Sequence, residues 1–183
     1  HEHRRQRQMC IRDSIYRVTP ILEGVSEEIY RDILIQEDKS LEDFHFAILD
    51  AFRLQEGEMA SFYTCTENWE EGLEITLMDM GTMEHESVSI LMQELSIKDS
   101  VAKDVKYYKF TYDFLFPKKF KVERIGENNV IKENVPVLLA EVGNYEPVVN
   151  HLSDLTFDDF EEDSISDDDD DEPTFENIDD LDI

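Results

Sequence analysis

Residues 105–114 read VKYYKFTYDF, and this stretch decides the fold. Tyr108, Phe110, Tyr112 and Phe114 alternate with Tyr107, Lys109, Thr111 and Asp113, the period-two pattern of a strand with one buried face. Pro117-Lys118-Lys119 turns the chain into a second strand over 120–125, which predicts a β-hairpin. Gly126-Glu127-Asn128-Asn129 reads as the next turn. Upstream, residues 15–23 and 29–36 predict another hairpin, with Tyr16, Val18 and Leu22 on one face of the first strand and Ile29, Ile33 and Ile35 on one face of the second. Pro20 marks the first of these strands as an edge or bulged strand.

Between the two hairpins lies one amphipathic helix. Ser40 reads as its N-cap, and Glu42 and Asp43 sit in the first turn, where the helix dipole favours acids. Leu41, Phe44, His45, Ile48 and Phe52 fall on one stripe at helical spacing, and Gly57 lies beyond the end. Residues 60–66 predict a strand, 73–77 a weaker one, 78–90 a long loop and 90–97 a short helix. Residues 137–142 fit a strand or a short helix. The sum is an α+β domain: a mainly antiparallel sheet of two or more hairpins with one principal helix packed on it.

Acids outnumber bases 45 to 17 in this chain of 183 residues, a net charge of −28. Such a balance opposes a dedicated nucleic-acid surface, which must displace counterions from phosphate, and opposes docking on anionic lipid. No apolar run approaches a membrane span. The two cysteines, Cys10 and Cys65, make neither a disulfide framework nor a Cys-based zinc site. With no apolar signal segment at the N-terminus, the expectation is a cytoplasmic protein.

Charge divides the chain into three zones. Residues 1–14 carry four bases and two acids, opposite in sign to the rest of the chain. The string Met9-Cys10-Ile11-Arg12-Asp13-Ser14 resembles translated adapter read-through, so 1–14 is expected to be non-native or disordered, with the native chain starting near Ile15. Residues 15–150 form the expected α+β domain. Residues 151–183 hold 16 acids and no base, including six acids in a row from Asp167 to Glu172, and are expected to be a disordered acidic tail. Phe157, Phe160 and Phe175 are set among those acids, a pattern used to dock on basic-rimmed apolar grooves.

Catalytic signatures are absent: no phosphate loop, no serine nucleophile elbow, no zinc-protease helix, no CxxC pair. Glu42 and His45 have the helical spacing of a metal pair, but no second copy supplies the remaining ligands, so His45 is read as a satisfied core residue. Glu84-His85-Glu86 reads as solvated loop, and Cys65 as a buried, inert thiol. Two features suit a partner. Trp69, in an acidic turn, is either an interface anchor or a cap on the core edge. Lys118, Lys119, Lys121 and Arg124 make the one basic cluster of the domain, either a solvated hairpin or a contact for nucleic acid or the acidic tail.

Four segments together resemble a known family: Ile15-Tyr16-Arg17-Val18, Glu28-Ile29-Tyr30-Arg31-Asp32-Ile33, the helix from Leu41 to Phe52, and Tyr112-Asp113-Phe114. They resemble the plasmid pRi Orf-three-like domain, also labelled insertion-element passenger TnpR-like, over about residues 15–147. The acidic C-terminal segment looks like a Bacteroidetes-type branch of it. The resemblance implies an α+β domain of unassigned activity. The family's second strand usually reads Pro-Pro-Ile-Trp-Arg-Arg, where this chain has Glu27-Glu28-Ile29-Tyr30-Arg31-Asp32. Its Tyr-Asp-Phe is usually followed by Gly-Asp, where this chain continues Leu115-Phe116-Pro117. The polar residues of the wider family are thus replaced, and the resemblance carries fold rather than activity.

The expectation is a non-enzymatic interaction module with no catalytic residue, cofactor or metal, whose acidic tail contacts a protein partner with a basic surface. The alternatives are an accessory or regulatory protein of a mobile element, acting on a DNA-processing protein or DNA, and a metal-dependent enzyme centred on His45.

Overall fold

In the computed structural model, residues 12–81, 89–129 and 136–147 are described. The first hairpin pairs β1 (Asp13–Pro20) with β2 (Tyr30–Gln36) in antiparallel register, Tyr16 opposite Ile33. Ser40 then caps α1 (Leu41–Phe52) through a reciprocal capping box: its hydroxyl accepts from the Asp43 N–H, and the Asp43 carboxylate accepts from the Ser40 N–H. Arg53 ends the helix in the left-handed region. Next come β3 (Ala60–Cys65), β4 (Glu71–Thr76) and a two-residue β5 (Ile90–Leu91). A 3-10 turn (Met92–Glu94) leads to α2 (Ile97–Ala102). The second hairpin joins β6 (Tyr107–Tyr112) to the long β7 (Lys118–Asn128), and β8 (Val137–Val142) closes the described elements.

These strands form one eight-stranded sheet in the order β5-β4-β3-β6-β7-β1-β2-β8. Every neighbouring pair is antiparallel except β4 and β5. Tyr16, Val18, Phe62, Phe110, Phe120 and Val122 point from four adjacent strands into the core, where they meet the stripe of α1. Phe44 lies 4.8 Å from Tyr16 and stacks at 5.7 Å on Phe62, so aromatic rings tie the helix to the sheet. The mixed α+β class with one principal helix is therefore present.

Several sequence expectations need correction. β1 begins at Asp13, two residues before the expected Ile15, and Asp13 and Ser14 are both buried. It is also a central strand, lying between β7 and β2. Pro20 ends that strand, where a missing N–H costs no ladder bond, and the bulge lies instead opposite Ile15 and Tyr16. Leu22, beyond the strand, is 42% exposed. The turn expected at Gly126 is absent: β7 runs through it and pairs with β1 as far as Asn128. The helix expected over 90–97 is instead the short strand β5 and a 3-10 turn, and the helix starts later, where Ser96 and Asp99 form a second capping box. Residues 137–142 are a strand, pairing with β2. The segments 1–11, 82–88 (with Glu84-His85-Glu86), 130–135 and 148–183 (with Phe157, Phe160 and Phe175) lie outside the described residues.

Candidate functional site

The sheet face opposite α1 carries Lys121, one of the residues singled out in the sequence. Along it, Arg17 faces Glu123 on one side and Asp32 on the other, and Lys121 faces Lys109. Arg17 forms a two-pronged ion pair with Asp32, Nε at 2.8 Å and Nη2 at 2.9 Å from its two oxygens, and its guanidinium lies 3.9 Å over the Tyr30 ring. The Asp32 hydrogen bonds hold the Arg17 pKa above the usual guanidinium range.

Trp69 belongs to this face. It sits at φ 64°, an uncommon conformation for a bulky residue, in a turn fixed by its N–H donating to the Thr66 carbonyl at 2.9 Å. Its half-buried indole meets the Tyr107 ring edge-on at 5.2 Å and lies under the Lys121 ammonium, 4.9 Å from the ring centre. It packs on the outer face and not on the edge of the core.

The basic hairpin is largely occupied by its own neighbours. Lys118 pairs with Asp113 at 3.8 Å and lies 5.6 Å over Tyr112. Lys121 covers Trp69. Arg124 turns to the other face, donates from Nε to the Ser14 hydroxyl at 3.1 Å, and pairs with Glu37 at 3.6 Å and Glu127 at 3.4 Å. Lys119 remains exposed. The four bases thus do not form one patch.

Arg124 leads to a polar cluster that sequence reasoning missed. The buried Ser14 hydroxyl donates to Glu37 at 3.1 Å and receives Arg124, which closes a Ser14–Glu37–Arg124 triangle. Tyr16 and Tyr108 lie beside it. The Tyr108 hydroxyl donates to Ser100 of α2, and burial pushes its pKa up to about 12. The Tyr16 hydroxyl has no partner among the described residues. Burial first, then the charges of Tyr108 and Glu37, raise its pKa, against the pull of Arg124. The period-two pattern placed Tyr16 in the core but could not show that its oxygen ends beside charges, because Glu37 and Arg124 are far off in sequence.

His45 is buried among aromatic rings, 4.9 Å from Phe46 and 5.6 Å from Phe110. Burial lowers its pKa to about 4. The core placement holds, but "satisfied" does not: Nδ1 has no partner among the described residues. Aromatic neighbours offer a ring face and no acceptor. No group of His, Cys, Asp and Glu suited to a metal ion occurs among the described residues. Cys65 is half-buried rather than buried, with burial pushing its thiol pKa up and Sγ donating to the Tyr63 carbonyl at 3.5 Å. No helix among the described residues is long and apolar enough to cross a membrane.

An eight-stranded, mostly antiparallel sheet with one principal helix on one face and a charge-aromatic ladder on the other defines the class as a two-layer α+β domain. The plasmid pRiA4b ORF-3-like protein family model matches residues 14–148, and the chain belongs to that family. The fold is similar to that of a protein of unknown function, MM3350 from Methanosarcina mazei Go1. The TM-score is 0.57 at 16% identity, over 72% of this chain and 69% of that one. No curated protein matches the chain.

Proposed function

We propose that this protein is a cytoplasmic binding module without catalytic activity, in which the acidic segment 151–183 recruits a protein partner with a basic surface and the folded domain completes the contact. The observation that carries this reading is the distribution of charge. The segment holds 16 acids and no base, which favours fast, salt-sensitive association with a cationic partner. Phe157, Phe160 and Phe175 supply apolar anchors within it, and Trp69 is the folded domain's own aromatic candidate for a partner.

Direct binding of DNA through the second hairpin has weaker support. Lys118 and Arg124 already hold Asp113, Glu37 and Glu127, and Lys121 lies on Trp69, so few free cations remain to release counterions.

The test uses the full chain and a variant with the run 167–171 changed from Asp to Asn and Glu172→Gln. A lysine-rich peptide and a DNA duplex are titrated at low and at physiological salt. The expected result is peptide binding that weakens about tenfold or more with salt and with the neutralised run, and no duplex binding. Peptide affinity indifferent to both changes would remove the reading.

A further inference from the structure

The loops at one end of the sheet carry a second, more specific feature. Ile21, Leu22 and Val25 in the β1–β2 loop are 41%, 42% and 48% exposed. In the β6–β7 turn, Phe114 and Leu115 are 42% and 70% exposed. The two loops meet at one end of the sheet: the Ile21 N–H donates to the Lys119 carbonyl at 2.8 Å, where β1 leaves the ladder and β7 enters it. Scattered exposed apolar residues are ordinary, but five on two adjoining loops form a patch of the kind that marks contact surfaces.

Both loops are held in shape. The Asp113 carboxylate accepts the Leu115 and Phe116 N–H groups at 3.1 and 3.2 Å and pairs with Lys118, which fixes the turn with its apolar tip in solvent. Beneath the other loop is a cavity of about 280 Å³, with Pro20, Leu22, Val25 and Ile29 as apolar lining and Glu27 and Glu28 among its walls. Residues 21–29 contain three glutamates, Glu23, Glu27 and Glu28, and no base. Arg17 also lines the cavity, where it is paired with Asp32 and feels Glu28, which leaves Glu23 and Glu27 as the surplus charge. A cavity with Pro20, Leu22, Val25 and Ile29 in its walls and an excess of carboxylates around it is complementary to an apolar side chain flanked by lysine or arginine.

We infer that this end of the sheet, formed by residues 19–30 and 113–119, is the docking surface for a partner segment in which apolar residues alternate with basic ones. The inference rests on the reading of the partner as basic and adds where on the folded domain it seats. A second copy of the chain fits poorly. A symmetric contact would bring Glu23, Glu27 and Glu28 against their own counterparts, in a chain of net charge −28. Nucleic acid offers no apolar side chain for the cavity and repels its rim.

The experiment records amide chemical shifts of the full chain while a short synthetic peptide of alternating leucine and lysine is added. Shifts are expected at 19–30 and 113–119. The double variant Leu22→Asp, Val25→Asp alters exposed positions only and is expected to bind about tenfold or more weakly. Glu27→Gln with Glu28→Gln should flatten part of the salt dependence without touching the apolar contact. The variant with residues 167–172 neutralised is expected to bind more weakly while the same amides still shift. Perturbations confined to 151–183, with Leu22→Asp, Val25→Asp binding like the parent, would overturn the docking surface and leave the tail reading intact. Absence of peptide binding in the full chain would overturn both. A dimer dispersed by Leu22→Asp, Val25→Asp would assign the patch to a second copy and overturn the inference.

Discussion

On the face of the sheet that meets α1, aromatic and aliphatic side chains interlock, and Phe110, Phe120 and Phe62 are wholly buried. On the opposite face, side chains pair charges and place cations over rings: Arg17 on Tyr30, Lys121 on Trp69, Lys109 to Glu71. The first face is stabilised in proportion to area removed from water, and a deleted side chain leaves a cavity that close packing cannot refill. The second is stabilised by interactions that water and salt compete for, each small. Stability therefore lives on the inner face, and the outer face and loops are free to vary for recognition.

Three measurements test that division, in order of expected effect. Phe110→Ala, on the inner face, is expected to lower unfolding free energy by about 3–5 kcal/mol in denaturant titration, as buried Phe-to-Ala changes do. A loss below about 1 kcal/mol would mean that the inner face is loosely packed. The second concerns the imidazole that α1 buries against the inner face. His45 is held near pH 4 in the folded state against 6.5 when exposed, so the unfolded chain binds the extra proton first. Stability from this residue is full above pH 6.5 and is lost as pH falls to about 4, by roughly 3 kcal/mol. His45→Leu should remove most of that acid loss, and an unchanged pH profile would show that His45 does not govern it. The smallest effect is expected on the outer face: Lys121→Ala should cost about 0.5–1 kcal/mol and cost less in high salt. A loss of several kcal/mol would break the division.

Sequence pattern was a good guide wherever structure is local. The alternation in β6, the stripe of α1 and the Ser40 cap depend on residues within one or two turns, and each is present. It failed where a distant partner decides. Gly126 reads as a turn by itself, yet pairing with Ile15 keeps it extended. Pro20 suggests an edge, yet the edge is elsewhere because β7 lies beside β1. Ser96-x-x-Asp99 was a legible capping box that the apolar periodicity of 90–97 obscured. Of the candidate site, Trp69 and the basic hairpin were visible as residue types, but not that Lys121 lies on Trp69 or that Arg124 turns inward to Glu37. Those contacts join positions far apart in the chain, where composition is silent.

The placement of β1 and β2 between β7 and β8 also sets an order of events in synthesis. Pro20 pairs with Phe120, and Tyr30 with Val142, so the first hairpin leaves the ribosome about a hundred residues before its flanking strands exist. At about 5–20 residues per second, it waits roughly 5–20 seconds with both edges open. During that interval the elements from α1 to β6 emerge, and Tyr16, Val18, Ile33 and Ile35 have α1 to cover them while the edges of their own strands stay unpaired. The late closure of so long a loop makes folding slow for the domain's size, with the final strands acting as the step that seals the sheet.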